Sequence, residues 1–98
     1  MGELAFVEQM ANIGSEVIRA INWKKKGRQE YSNLAFERAL ELLDLTLTLD
    51  IRPSCLKELA RLREILADYF VFDNIYNSTD EKWQEYFLAF NYAARLNS

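Results

Sequence analysis

Residues 3–26, ELAFVEQMANIGSEVIRAINWKKK, carry the clearest structural pattern in this chain. Five residues at alternating spacings of three and four share one helix face: Val7, Met10, Gly14, Val17 and Ile21. Glycine on this stripe costs about 1 kcal/mol of helix propensity relative to alanine, so we predict that another helix approaches closely at Gly14. Gly27 directly follows three lysines and is a typical helix stop, which predicts a helix from about Glu3 to Lys26.

A second helix follows, with a stripe of apolar residues that begins at Phe36. We expect it to start at Arg28 or Glu30 and to continue to Leu49. Apolar and polar residues alternate over residues 45–51, which is typical of a strand, but the sequence offers no second strand to pair with it. We therefore assign this stretch to the helix.

Two more helices have recognisable start signals. Pro53 suits the first turn of a helix, and the apolar spacing after it continues to about Phe72. Ser78 with Glu81 three positions later matches a capping box, which predicts a last helix that ends near Leu96.

Four helices with short connections predict an all-α fold, a compact up-down four-helix bundle with residues 1–98 as a single domain. Half of the residues are hydrophobic and 13% are aromatic, which is ample material for one core. The formal net charge of −3 favours neither nucleic acid nor an anionic membrane as a partner. Because the chain has no basic leader segment and no apolar run near the roughly 20 residues that span a bilayer, we expect a cytoplasmic protein without membrane association.

The chain contains no histidine and a single cysteine, Cys55. This composition removes the commonest general base, the commonest metal ligand and any cysteine–histidine or serine–histidine pair. The acidic row of Glu37, Glu41 and Asp44 has no histidine to complete a metal site, so we interpret it as a solvated face. We expect an inert thiol, no catalytic residue, no metal and no cofactor, and we predict that the protein is not an enzyme.

Arg63 falls on the apolar stripe of the third helix. An arginine there must reach solvent or meet a carboxylate, because an unpaired buried charge is strongly unfavourable. Asn12, Glu16 and Arg19 form a polar row on the first helix, so we expect an internal polar network in which Glu16 pairs with Arg63. A ligand-binding or catalytic role would instead require these groups to converge in an open pocket.

A basic segment ends the first helix and contains Trp23, Lys24, Lys25, Lys26 and Arg28. Cations next to an aromatic ring can bind phosphate backbones and stack on bases, which makes this segment a candidate nucleic-acid contact. Lysines at a helix end also complement the helix dipole, and we favour that interpretation.

The last helix is rich in aromatic residues, namely Trp83, Tyr86, Phe87, Phe90 and Tyr92. Such a row usually forms core, but these residues cover more than one side of the helix. An exposed remainder would suit an interface anchored by tryptophan and tyrosine. We therefore predict a non-enzymatic protein–protein interaction module that forms a homodimer or binds another protein. The alternative is a nucleic-acid-binding or toxin–antitoxin-type accessory protein that uses the basic segment.

Two segments, Asn-Ile-Gly-Ser-Glu-Val at 12–17 and Arg-Ala-Leu-Glu-Leu-Leu-Asp at 38–44, resemble small uncharacterised helical-bundle proteins of bacteria. In helix count and length the chain is also similar to HEPN-type bundles and to the helical partners of small nucleotidyltransferases, some of which work in toxin–antitoxin pairs. The nuclease branch of HEPN proteins carries an arginine followed a few residues later by a histidine, and this chain has no histidine. The resemblance therefore implies a non-catalytic partner role and transfers no catalytic residue.

Overall fold

Four α-helices make up the computed structural model, which describes residues 3–49 and 52–96. They are α1 (Glu3–Lys25), α2 (Gln29–Leu47), α3 (Pro53–Phe70) and α4 (Asp80–Leu96), and the described residues contain no strand. The predicted all-α four-helix bundle is thereby confirmed. Residues 50–51, at the end of the alternating stretch, lie outside the described residues. Over the described part of the chain, no helix is both long and apolar enough to cross a membrane.

A Schellman motif ends α1 at the glycine that the sequence marks as a stop. Gly27 has a φ of +76°, and its N–H donates to Lys24 O at 3.0 Å. The Arg28 N–H donates to Trp23 O at 2.9 Å, which is the second bond of the motif. Because glycine adopts this left-handed conformation without a Cβ clash, the chain turns directly into α2.

Two helices end earlier than the sequence predicts. The last residues of α2 and α3 are Leu47 and Phe70, each two residues before the predicted ends at Leu49 and Phe72. At the end of α2, the hydroxyl of Thr48 donates to a carbonyl of the last turn at 2.6 Å. The same carbonyl, Leu45 O, accepts the Thr48 N–H at 3.1 Å, so both polar groups of Thr48 close the last turn where the chain leaves the helix.

The helix α4 starts one residue later than a capping box at Ser78 and Glu81 requires. Thr79 is the N-cap, since its Oγ1 accepts the Lys82 N–H at 3.1 Å. Ser78 is held by Asn74 instead. Its N–H donates to Asn74 Oδ1 at 2.8 Å, and Asn74 Nδ2 donates to Ser78 O at 3.0 Å. The predicted capping box is wrong because the loop binds the backbone of Ser78.

Neighbouring helices are antiparallel around the bundle. The side-chain pairs that show this are Ser32 with Ala20, Phe36 with Phe70, Tyr69 with Asp80, and Lys25 with Asp80. Each pair joins the first half of one helix to the second half of its neighbour, as an up-down bundle requires.

Residue size sets the distance between the helices. Small buried residues, Ala20 on α1 with Ala35 and Ala39 on α2, let these two helices approach with Cα atoms within 8 Å, and Cα atoms of α4 also come within 8 Å of α1. No Cα atom of α3 comes within 8 Å of one in α4 along the described helices. Aromatic rings fill that space, with the Tyr69 and Trp83 centroids 6.3 Å apart. As a result, α3 is held at side-chain distance from α4.

Because Gly14 has no side chain, the ring of Phe87 can pack against α1 in the core. A Cβ at Gly14 would lie 2.7–2.8 Å from ring and Cβ atoms of Phe87, closer than such contacts come in proteins. Phe87 is fully buried, and its ring also contacts those of Trp83 and Tyr86. The predicted close approach of another helix at Gly14 is therefore confirmed, and the approaching helix is α4.

Replacing Gly14 by alanine tests this contact. Overpacking a core costs about 1–3 kcal/mol, and alanine returns about 1 kcal/mol of helix propensity, so we expect the free energy of unfolding to fall by up to about 2 kcal/mol. Urea denaturation followed by circular dichroism would measure the change. In a double-mutant cycle with Phe87→Ala, which removes the ring, the two effects should be clearly non-additive, whereas Gly27→Ala, where a Cβ meets nothing within 4 Å, should be additive with Phe87→Ala. Additivity at Gly14 would contradict the contact.

Candidate functional site

The connection between α3 and α4, residues 71–79, is fixed by a buried carboxylate. Asp68 is 6% exposed, and its two oxygens accept the N–H groups of Ile75 at 2.9 Å and Tyr76 at 3.1 Å. The Asn74 N–H adds a bond to Asp68 O at 3.2 Å. Charge-assisted bonds to both oxygens compensate for burial of the carboxylate, so this loop has a defined backbone.

Two asparagines adopt a left-handed backbone conformation where this loop changes direction. Asn74 and Asn77 both have a φ of +55°, in the left-handed region that asparagine tolerates better than most residues. Asn77 N–H donates to Asn74 O at 3.0 Å, which closes the turn between them. The loop is therefore held by bonds at both of its ends.

Large apolar side chains project from this fixed loop. Val71, Phe72, Ile75 and Tyr76, which we call the loop cluster, are 59%, 70%, 72% and 43% exposed. A loop whose backbone is anchored cannot move these side chains into the core. These exposed apolar side chains make the loop cluster the candidate site in the described part of the chain.

A groove of about 520 Å³, the outer groove, lies between α3 and the loop cluster. Its lining includes the small residues Ala60 and Ala67 of α3 together with Phe72 and Ile75 of the loop cluster. Charges of both signs also line it, from Arg63, Glu64, Asp68 and Asp73. The outer groove and the projecting side chains therefore belong to one surface.

Arg63 does not reach Glu16. Its Nε donates to Asp44 Oδ1 at 2.9 Å, in a largely exposed ion pair between α3 and α2. Glu16 lies 3.5 Å from Arg19 on its own helix, and Asn12 is exposed. The predicted internal network is wrong because α1 packs closely against α2 and α4 but not against α3. Arg63 reaches solvent along the outward face of α3, so these groups do not converge in a pocket.

A second groove, of about 330 Å³, lies between α3 and α4 and is called the α3–α4 groove. From α3 it is lined by Glu58, Arg61, Leu62 and Ile65, and from the other side by Ser78, Lys82, Trp83 and Tyr86. It occupies the space that the wide separation of the two helices leaves between their side chains.

Three tyrosine–carboxylate hydrogen bonds hold α3 to α4 and to the loop. The hydroxyl of Tyr86 donates to Glu58 Oε1 at 2.7 Å, and that of Tyr76 to Glu64 Oε1 at 2.8 Å. The third bond joins the Tyr69 hydroxyl to Asp80 Oδ1. Because the backbones of α3 and α4 lie far apart, these polar bonds act together with the packing of aromatic rings to hold α3 in place.

These bonds raise the pKa of the tyrosines. Burial is the main cause for Tyr69 and Tyr86, followed in each case by the bond to a carboxylate. For exposed Tyr76 the bond to Glu64 is the main cause. Burial favours the protonated phenol because it opposes the charged phenolate, and the bond favours it because only the phenol donates to the carboxylate.

The predicted aromatic interface divides between core and surface. Trp83 and Phe87 are buried and belong to the core, where Phe87 contacts α1. Tyr86 and Phe90 are half-buried, and Phe90 packs edge-on against Phe6 with centroids 6.2 Å apart. Tyr92 is exposed. Trp83 and Phe87 are thus not available as interface anchors, because α1 and α3 cover the side of α4 on which they lie.

The lysines of the basic segment turn toward different partners. Lys24 Nζ lies 4.8 Å from the ring centroid of Tyr69, in a cation–π contact with α3. Lys25 Nζ lies 3.9 Å from Asp80 Oδ2, at the start of α4. Both side chains contact other helices and remain exposed at the surface.

Trp23 is the centre of the remaining part of the basic segment. Its ring packs on that of Tyr31 with centroids 4.9 Å apart, and Lys26 Nζ lies 5.2 Å from the Trp23 centroid. A shallow groove of about 370 Å³ beside them is also lined by Arg19, and Arg28 is exposed. The basic segment has four cations, and two of them, Lys26 and Arg28, form no ion pair or cation–π contact with α3 or α4 among the described residues.

The acidic row on α2 is a solvated face, as the sequence predicts. Glu37, Glu41 and Asp44 are all exposed, and Asp44 pairs with Arg63. Within residues 3–49 and 52–96, no group of three or more histidine, cysteine, aspartate or glutamate residues is arranged to hold a metal ion. Cys55 is a free, half-buried thiol that packs against the core.

Helical periodicity does not reveal the loop cluster, because the loop lies beyond the end of α3 and its apolar residues alternate with short polar stretches. The local signal lies in Asp68, an aspartate in the last turns of a helix, followed by two asparagines at Asn74 and Asn77. Aspartate and asparagine favour bonds to nearby backbone groups, so this spacing is typical of an anchored turn.

The chain matches no protein-family model, no curated protein and no solved structure. The resemblance to HEPN-type bundles and to nucleotidyltransferase partners therefore stays a prediction.

Removing the carboxylate of Asp68 should release the loop. Asp68→Ala leaves two backbone N–H groups without their acceptor, so we expect a loss of about 1–3 kcal/mol in unfolding free energy. Hydrogen exchange at the Ile75 and Tyr76 amides should accelerate strongly. Asp68→Asn keeps one acceptor oxygen and should have a smaller effect. If both amides keep their protection in Asp68→Ala, the carboxylate does not anchor the loop.

Alkaline pH should weaken the fold through the tyrosines. An ordinary tyrosine has a pKa of about 10, so above that pH the unfolded chain loses phenol protons that the folded chain still retains. The contribution of Tyr86 to stability is therefore complete below pH of about 10 and is lost as pH rises further. We expect Tyr86→Phe to reduce the fall in unfolding free energy above that pH. Tyr92→Phe is the matched control, because Tyr92 is exposed and forms none of the three hydrogen bonds. An equal effect in both variants would contradict the role of Tyr86 in the pH dependence.

Proposed function

We propose that this chain is a non-enzymatic protein–protein interaction module that forms a homodimer through the loop cluster and the outer groove. The observation that supports the proposal is the exposure of four large apolar side chains on a loop whose backbone Asp68 fixes. The cost of leaving such side chains in water is recovered when a partner covers them.

The surface is complementary to itself. It combines projecting apolar side chains, such as Phe72 and Ile75, with a groove that contains the small residues Ala60 and Ala67. In a two-fold dimer the same patch is used by both copies, so a projection on one copy can enter the groove of the other. One surface thus supplies both halves of the contact.

The charges at this surface also suit a second copy of the same chain. Arg63, Glu64 and Asp73 place both signs along the outer groove. A two-fold arrangement can bring the positive side chain of one copy against the negative side chains of the other, which favours the correct register. A surface with one sign of charge would repel its own copy.

The anchored loop lowers the entropic cost of association. Ordering flexible side chains and loops at an interface opposes binding, and a segment that is already fixed avoids part of this cost. Asp68 and Asn74 hold the loop before any partner binds. The loop cluster is therefore preorganised.

The alternative, an accessory role at nucleic acid through the basic segment, has weaker support. Lys24 and Lys25 contact Tyr69 and Asp80 within the bundle, and this leaves Lys26 and Arg28 beside the Trp23 ring. Few outward cations mean few neutralised phosphates, so affinity for a nucleic acid at physiological salt would be low.

Light scattering on the purified chain tests the homodimer. We expect twice the chain mass of 11.5 kDa at high concentration, and we expect Ile75→Asp to give a monomer with unchanged helix content. A buried aspartate without a partner is strongly unfavourable in an interface, whereas the same residue on an exposed monomer surface has little effect. Leu88→Asp is the matched control, because Leu88 on α4 is 65% exposed and lies outside this surface.

Three results would contradict the proposal. They are a wild-type monomer at every concentration, a dimer that survives Ile75→Asp, and dissociation by Leu88→Asp in place of Ile75→Asp. The last result would move the interface to the outer side of α4.

A further inference from the structure

The α3–α4 groove lies on the face of α3 opposite to the outer groove. Its α3 residues are Glu58, Arg61, Leu62 and Ile65, whereas those of the outer groove are Ala60, Arg63, Glu64 and Ala67. Each set follows helical spacing, and at about 100° per residue the two sets point in opposite directions. Binding at one groove therefore leaves the other accessible.

The inner part of the α3–α4 groove is apolar. Leu62 and Trp83 are buried, and Ile65 and Tyr86 are half-buried beside them. Its volume of about 330 Å³ lies at the lower end of the roughly 300 to 1,000 Å³ that is typical of small-molecule sites. Residues 58–65 extend over only about 10 Å of helix, so the groove is too short for a multi-turn peptide helix.

The charges at the groove favour an anion. Arg61 on α3 and Lys82 on α4 both line it, one from each side. Among the described residues Arg61 has no ion pair, and Lys82 Nζ donates to the neutral Asn77 O at 3.2 Å. The carboxylate of Glu58, which also lines the groove, accepts the Tyr86 hydroxyl at 2.7 Å. The two cations thus keep the capacity to bind a carboxylate.

We propose that the α3–α4 groove binds a small amphipathic organic anion, an aryl or alkyl monocarboxylate. Its apolar body contacts Leu62, Ile65 and Trp83, and its carboxylate lies between Arg61 and Lys82. A neutral apolar molecule would leave both cations unused, and a compact inorganic anion would leave the apolar surface uncovered. This site does not require the proposed homodimer, since the residues that line the two grooves do not overlap.

Two tryptophans provide the readout, because each gives one indole N–H signal in a ¹H–¹⁵N NMR spectrum. Trp83 lines the α3–α4 groove, whereas Trp23 lies on α1 beside Tyr31. Titration with 2-naphthoate should shift the Trp83 signal saturably and leave that of Trp23 in place. The variant Trp23→Phe assigns the two signals.

A neutral analogue and two charge variants test the role of the cations. The amide 2-naphthamide has the same ring system without the charge, and we expect it to bind about tenfold more weakly than 2-naphthoate. Arg61→Gln and Lys82→Gln should each weaken naphthoate binding several-fold and leave naphthamide binding unchanged. Arg38→Gln, an exposed arginine on α2, is the matched control and should change neither affinity.

The monomeric variant Ile75→Asp separates this site from the homodimer, and it should bind 2-naphthoate as the wild type does. Equal affinity for naphthoate and naphthamide would overturn the anion site. Equal shifts at Trp23 and Trp83, or shifts that do not saturate, would overturn the groove as the binding site. If the chain forms no dimer, the homodimer proposal fails, and the test of the anion site in the α3–α4 groove is unchanged.

Discussion

The contact between Gly14 and Phe87 determines how the rest of the bundle is arranged. Because Gly14 has no side chain, the fully buried ring of Phe87 rests against the backbone of α1 and brings α4 close. Small residues on α2, among them Ala35 and Ala39, let the second helix pack closely as well. The helix α1 is therefore the centre of the fold, and α3 completes the ring of helices from outside. The rings of Tyr69 and Trp83 then keep α3 away from α4, and both grooves lie beside the helix that packs least closely.

Several ionisable groups in this chain form the polar contacts that hold the helices and the loop in place. Asp68 anchors a loop, and Glu58, Glu64 and Asp80 accept hydroxyl groups of tyrosines. Arg63 and Asp44 join two helices at the surface. Polar bonds of this kind add to the apolar packing of α3 and fix its register, in the way that buried or half-buried polar groups specify one packing among several similar ones.

Sequence predicts the features of this fold that depend on local rules. The stripe of apolar residues on α1, the stop at Gly27 and the start at Pro53 each follow from the geometry of one helix, and the structure has all three. The close approach at Gly14 is also predictable, since a glycine in a helix interior is costly unless something occupies the space. These features need no knowledge of how the helices are placed relative to one another.

Features that depend on the register between helices are not predictable in this way. The partner of Arg63 is Asp44 and not Glu16 because α3 packs beside α2 and away from α1, which helical periodicity does not encode. The position of the N-cap at Thr79 depends on the bonds between Asn74 and Ser78. The candidate interaction surface likewise depends on Asp68, whose role becomes visible only when the loop is seen folded around it.

The loose attachment of α3 gives the bundle an uneven stability. Elements whose backbone has few close neighbours open more readily than the rest of a protein, so we expect α3 to open before the other helices. Any molecule that binds against α3 stabilises this helix by mass action and suppresses its opening. A ligand in either groove would therefore slow hydrogen exchange along the same helix.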